Sequence, residues 1–264
     1  MIAGAALYLW MRTRGNEKPT SMHWRSTAIV GACLIVGGNG AVVWVEQFVP
    51  SGMTALLVAL LPFWIVLIDW IGPARTRPSL GVAIGLVVGI AGIVVLVGPA
   101  AIHPSGKAGS GILVGALVLM LGEISWALGS IYSRHAQLPK SALLATSMEM
   151  LTGGALLLLL GLVTGEHKHF DLANVSARSL AGFAYLTSIG SLVGFTAYIW
   201  LLTVQPASRV ATYAYVNPVI AVFLGWAFAG EQLTVRTAVA AAIIIGAVAL
   251  ITTARSSSHL PESA

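Results

Sequence analysis

Charge is what this sequence has least of. Only 9% of its 264 residues are Asp, Glu, Lys or Arg, against roughly 25% in an ordinary soluble domain, and its mean hydropathy is +0.89. That balance excludes a water-soluble globule. A single cysteine, Cys33, excludes a disulfide framework and a cysteine-based metal site. HExxH, P-loop, GxSxG and paired catalytic carboxylates are all absent from the sequence, so no catalytic residue, metal or cofactor is expected and the chain is not read as an enzyme. His167 and His169 flank Lys168 beside Glu166 and Asp171; they read as a solvated loop, not as metal ligands.

What the sequence has in abundance is long apolar runs, at about 26–48, 51–71, 79–98, 111–131, 142–164, 178–202, 207–229 and 236–253. Each suffices for a helix of about 20 residues across a bilayer core of about 30 Å. None alternates strictly, which a barrel strand requires. The expected fold is therefore an all-α, polytopic helical bundle. Met1 to Met11 makes a shorter apolar segment that then meets Arg12, Arg14 and Lys18. A secretory signal has its charges before the apolar part, so this segment reads as the tail of a longer helix.

The net charge of +5 does not point to nucleic acid, because the basic residues lie between the spans. With the end of the first segment taken as one side, ten of the 14 Lys and Arg residues fall there, Arg75, Arg77, Arg134, Lys140 and Arg255 among them. Lys107, Lys168, Arg178 and Arg236 fall on the other. By the positive-inside rule the richer side is cytoplasmic, and the C-terminus lies there.

Sliding the sequence against itself by 156 positions superposes Pro50 on Pro206, Pro62 on Pro218, Trp44 on Trp200 and Trp70 on Trp226 without a gap. By the topology just derived, the Trp44 span runs outward and the Trp200 span inward, so the repeat is inverted. Inverted repeats with corresponding Gly- or Pro-interrupted helices are a signature of secondary transporters. Pro62 and Pro218 are then helix-breaking residues, each freeing backbone groups that neighbouring helices or cavity water must satisfy; a packing kink is the plainer reading. A complete parent would have ten spans, five per half, of which this sequence carries eight and a fraction. The expected halves are 1–104, incomplete at its start, and 105–255, followed by a short polar tail, 256–264.

GGNGAVVWVEQFVPSG, GEISWALGSIYSRH, ATYAYVNPVIAVFLG and GEQLTVRTAVAAAIIIGAVALI resemble, in order and over essentially the whole chain, the EamA family of the drug/metabolite transporter superfamily. The resemblance implies a ten-helix inner-membrane carrier of two inverted five-helix repeats, commonly an exporter of amino acids, other metabolites or drugs. It also implies a first helix lining the cavity, which this sequence lacks. At the position of Glu123 such proteins commonly carry a small or neutral residue.

Glu123 lies near the middle of its span with no basic residue within a turn. A carboxylate facing lipid is costly, so it is expected to face the bundle interior, as substrate or proton partner or as a structural acid. Glu149, nearer a span end, is expected to reach the interface or bond between helices, and is the second candidate for proton coupling. Trp126 shares a helix face with Glu123, and Tyr213 shares one with Asn217. With Tyr198 and the glycine-flanked Asn39 they make a candidate substrate-binding set: apolar walls and few polar groups, suited to a small amphipathic solute. Trp44, Trp200 and Tyr132 fit the aromatic belt at the headgroup level instead. Gly81, Gly85 and Gly89 form a close-packing stripe, internal or the face of a homodimer. The partners expected are a small-molecule substrate and the lipid bilayer. The alternative to a secondary-active carrier is a non-transporting membrane subunit or an inactive remnant; an in-frame coding extension of about 35–45 residues upstream, enough for the missing helix length, would favour the carrier.

Overall fold

The computed structural model describes residues 1–72, 79–97, 106–169, 171, 175–205, 210, 216–230 and 233–257. Among these residues the chain is helical, with turns and no strand. The α-helices are α1 (Ile2–Thr13), α2 (Ser21–Gly31), α3 (Gly40–Val45), α4 (Ser51–Val58), α5 (Leu61–Ile71), α6 (Leu80–Val97), α7 (Gly106–Ser133), α8 (Ala142–Thr164), α9 (Ala177–Tyr185), α10 (Thr196–Val204), α11 (Val216–Ala229) and α12 (Val235–Ser257). Two π-helical segments, Ala32–Asn39 and Leu186–Phe195, join α2 to α3 and α9 to α10. Among the described residues five helical stretches are long and apolar enough to cross a membrane, at Ser21–Val45, Ser51–Ile68, Gly111–Ser133, Ala142–Thr164 and Ala177–Val204; Leu80–Leu96 and Val235–Ile251 are shorter apolar helices.

Local chemistry explains where these helices begin and end. The Thr20 side chain accepts from the His23 N–H at 3.2 Å and starts α2, while Ser176 accepts from the Ser179 N–H at 3.1 Å and starts α9. Each satisfies a backbone donor that the first helical turn cannot use. The two caps lie 156 positions apart, and so do residues 32–39 of the first π-helical segment and residues 188–195 within the second. Pro62 stands in the first turn of α5, after the turn at Ala59 and Leu60 that ends α4. There its missing N–H has no intrahelical partner to lose. Gly165, at φ 83°, closes α8 in the left-handed conformation, its N–H bonding back to the last turn.

The chain divides into two compact units that cut across its sequence halves: residues 1–40 with 129–206, and residues 41–128 with 207–264. In the first unit α8 is the centre, packed by α1, α2, the first π-helical segment and α10. Helix α1 runs antiparallel to it, because a Cβ added at Gly4 would meet Met150 and one added at Gly154 would meet Met1. Leu7, Met11, Leu144 and Met148 form the core between them. Helix α2 runs parallel to α8: the Thr152 hydroxyl donates to the Thr27 carbonyl at 3.1 Å, and further along Gly40 abuts Leu157.

The second unit is built on α6 and α12, which are antiparallel, since Gly81 faces Ala254, Gly85 faces Ile251 and Gly92 faces Ile244. The Gly81, Gly85 and Gly89 stripe is thus used inside the unit, the internal alternative of the two open from sequence. The opposite face of α6 exposes Ile84, Val87, Ile90 and Val94. Small residues inward and large apolar ones outward is the arrangement favoured where lipid is the solvent, because close backbone approach, not expulsion of water, drives helix association there. A larger core gathers Val45, Leu56, Leu60, Leu96, Leu119, Ile244 and Val248.

Candidate functional site

Among the described residues two carboxyl groups are buried among apolar helices, and each belongs to a different unit. Glu123, on α7 in the second unit, is 5% exposed. It lies on a stripe of buried residues at helical spacing, Ala116, Leu119, Glu123 and Ala127, which is why an acid here faces inward. Its Oε2 has no hydrogen-bond partner. Trp126, three residues on, is half-buried.

Glu149 is different from expectation. It is 0% exposed, and neither carboxylate oxygen has a hydrogen-bond partner. It therefore reaches no interface and makes no interhelical bond through its side chain. The reason is the face it occupies. Thr152 and Gly153 contact α2 directly, and residues three and four apart share a helix face, so Glu149 is turned into the α2–α8 crossing. The crossing is close: an added Cβ on Gly31 would lie 2.7 Å from the Glu149 carbonyl oxygen, and one on Gly153 2.7 Å from the Gly31 carbonyl oxygen. Ser26 and Thr27 of α2 are buried there as well, at 2% and 0% exposure.

Of the other sequence candidates, Tyr198 on α10 is half-buried, its hydroxyl 2.8 Å from Ser130 Oγ within the first unit. Ser130 was not singled out from sequence, although it continues the Ala116 to Ala127 stripe at helical spacing, which is the signal that marks it. Asn39 ends the first π-helical segment and is exposed, and Asn217, the second residue of α11, is exposed too. Pro218 is the third residue of that helix. Tyr213 lies outside the described residues. Trp44, Trp200 and Tyr132 are all exposed, the disposition an interfacial aromatic needs. No group of three or more His, Cys, Asp or Glu residues suited to a metal ion occurs among the described residues.

Where α7 ends and α10 ends, the first unit holds a cavity of about 430 Å³ lined by Ser133, Arg134, Leu138, Ile199, Leu202, Thr203, Val204 and Gln205. Its volume is in the range of small-molecule sites, and it combines one cation with hydroxyls and aliphatic wall. The two π-helical segments are the other unusual feature. Such segments are rare in proteins and are frequent at functional sites, and here residues 32–39 and 188–195, both π-helical, lie 156 positions apart.

Comparison with known proteins gives these features a context. The profile of the EamA-like transporter family matches residues 113–253. An Escherichia coli (strain K12) protein named as the inner membrane transporter YedA is 34% identical over 256 residues, 96% of this chain and 78% of its own length. The Bacillus subtilis (strain 168) protein named as the transporter YvbV is 23% identical, over 78% of this chain and 65% of its own. A solved crystal structure, 20% identical, superposes with a TM-score of 0.63 over 98% of this chain and 86% of that one, a likeness of fold.

Proposed function

The chain belongs to the EamA-like transporter family of the drug/metabolite transporters, and on that premise we propose that it is a secondary-active exporter of small organic metabolites, amino acids or drugs among them. It works in the inner membrane by alternating access, with its C-terminus in the cytoplasm. The observation that carries this reading is the antiparallel pairing of α1 with α8 and of α6 with α12. α6 and α12 correspond to each other at close to the 156-residue shift, and α1 corresponds to the later part of α8. Copies of an odd number of helices enter the bilayer with opposite orientation, so a helix that packs on its counterpart meets it running the other way, as these two pairs do. This supports two inverted five-helix repeats, 1–104 and 105–255, with 256–264 as the tail. It also supports a mechanism in which similar halves exchange roles on the two sides of the membrane.

In this reading Glu123 is the partner of a substrate amine or a coupled proton, and Trp126, Tyr198, Asn39, Tyr213 and Asn217 shape the solute path. No ATP-binding motif is present in the sequence, so the solute gradient or coupled protons supply the energy. The experiment is a growth-protection panel: the chain is expressed in a sensitive bacterium challenged with toxic amino-acid analogues and drugs. Protection against a subset, lost in Glu123→Gln, is the expected outcome. Reporter tags placed in the interhelical segments test the orientation separately. Two copies entering the bilayer in the same direction, or protection against no compound at wild-type expression in the membrane, would refute the proposal.

A further inference from the structure

The acid that the carrier reading uses least is the one most completely enclosed. Glu149 sits at the α2–α8 crossing with both carboxylate oxygens unpartnered and no exposed surface. An ion left there without a counter-charge or hydrogen bonds would be held at a cost of several kcal/mol, so the charges of the surrounding elements decide its state. Helix α1 brings Tyr8, whose ring packs on Trp24 at 5.8 Å, and Arg12, whose guanidinium donates to the Asn16 and Glu17 carbonyls. Arg12 is moreover at the far end of the antiparallel pair, near Leu144. Helix α2 brings Arg25, which is exposed, and His23, half-buried one turn before Thr27 with its Nδ1 accepting from the Thr20 N–H. The first π-helical segment brings Cys33, and α10 brings Tyr198 on the Ser130 hydroxyl. Past the far end of α8, the short helix Glu166–His169 carries Glu166, His167 and Lys168 more than three turns away along the helix. The Met1 amino group lies beside Gly154 on the α1 side of α8, and among the described residues no cation is bonded to the Glu149 carboxyl group. On α2, Thr27 is buried at the crossing, its carbonyl accepting from Thr152 and its hydroxyl donating to the His23 and Trp24 carbonyls, and Ser26 precedes it, buried too.

We propose that Glu149 is the proton-carrying residue of this carrier, neutral while the α2–α8 crossing is closed and releasing its proton to water when the crossing opens. This rests on the carrier reading above and assigns the coupling role to a residue outside the substrate set. The arrangement suits the task. Gly31 and Gly153 put the two backbones in contact, so a small separation of α2 from α8 suffices to admit water beside the acid. The resulting carboxylate cannot be re-enclosed until a proton returns, which links closure of the crossing to protonation.

The test uses the full chain in lipid vesicles and begins with a readout that needs no substrate. In pH-difference infrared spectra, wild type gives a protonated-carboxyl C=O band that bleaches as pH rises. The component belonging to Glu149 is lost in Glu149→Gln, is displaced in Glu149→Asp and persists in Glu123→Gln. A Glu149→Gln spectrum identical to wild type overturns the proposal. If that variant does not fold, the Glu149→Asp displacement decides alone, and a spectrum without displacement overturns it. The second readout takes a compound from the growth panel and measures its accumulation with and without an imposed pH gradient. The ratio falls to one in Glu149→Gln while wild type stays above one; an unchanged ratio refutes the assignment. Should wild type move no compound while the Glu149 band still titrates, the carrier reading fails and the proton site stands apart from it.

Discussion

Gly31→Ala is the substitution whose consequence the structure specifies most fully. The new methyl group would lie 2.7 Å from the Glu149 carbonyl oxygen, 2.9 Å from the Gly153 nitrogen and 3.0 Å from Thr152 Oγ1. Two of these are backbone atoms of α8, which no rotamer change can move. Restoring ordinary contact requires α2 to retreat by roughly 0.7 Å, which forfeits part of the dispersion along the whole crossing and stretches the 3.1 Å bond from Thr152 to the Thr27 carbonyl. Overpacking of this kind costs about 1–3 kcal/mol. Against it stands up to about 1 kcal/mol gained by replacing glycine with alanine inside a helix, a gain that a glycine in open space shares, so the loss relative to such a site is about 1–3 kcal/mol. At roughly 2–4 °C per kcal/mol for a chain of this size, the apparent unfolding midpoint should lie about 2–12 °C below that of the open-space variant. Scanning fluorimetry of the purified protein in lipid nanodiscs, read through its eight tryptophans, measures it. Gly182→Ala is the internal comparison: nothing lies within 4 Å of the added Cβ, so the same chemical change should leave the midpoint unchanged or raise it. Gly153→Ala should resemble Gly31→Ala, and the double variant should lose less than the sum, because one retreat of α2 relieves both contacts. Gly31→Ala as stable as Gly182→Ala would refute the close crossing and the argument built on it.

Three further outcomes follow from the same geometry. Ser176→Ala and Thr20→Ala each remove one side-chain cap and should each lower stability by about 1 kcal/mol, measurable as matched falls in midpoint; a fall in one alone would contradict the equivalence of the two helix starts. Tyr198→Phe deletes the 2.8 Å contact with Ser130 and should cost about 0.5–1.5 kcal/mol, with Ser130→Ala costing less in that background than in wild type, as a double-mutant cycle would register. Glu123→Leu removes a buried oxygen without a partner and should raise stability by about 1–3 kcal/mol while abolishing protection in the growth panel; a variant that keeps protection would remove Glu123 from the mechanism.

Much of this protein was legible before any coordinates. Apolar runs longer than a bilayer is thick can do little but form spanning helices, because lipid offers no partner for an exposed peptide group. Prolines and tryptophans recur in pairs at one shift along the chain, and helical spacing places Glu123 on a buried stripe. The candidate site was legible only in part. Asn39 and Asn217 stand out by their chemistry, and the structure adds that both are exposed; a residue's type states what it can bond and not which face it occupies. Ser130 was passed over among small residues, although the stripe that holds Glu123 runs through it.

Sequence by itself determined the solvent this chain folds in, the helical form that solvent demands and the 156-residue recurrence of its paired prolines and tryptophans, since each follows from composition or from spacing along one dimension. Tertiary structure alone decided which face of α8 is buried, and so which acid is sealed from water. Glu149 lies near a span end in sequence and reads as reachable from the interface; its enclosure depends on Gly31 of a helix more than 100 residues earlier coming into backbone contact beside it. A contact between distant segments is fixed by packing in three dimensions, which no periodicity within either segment encodes.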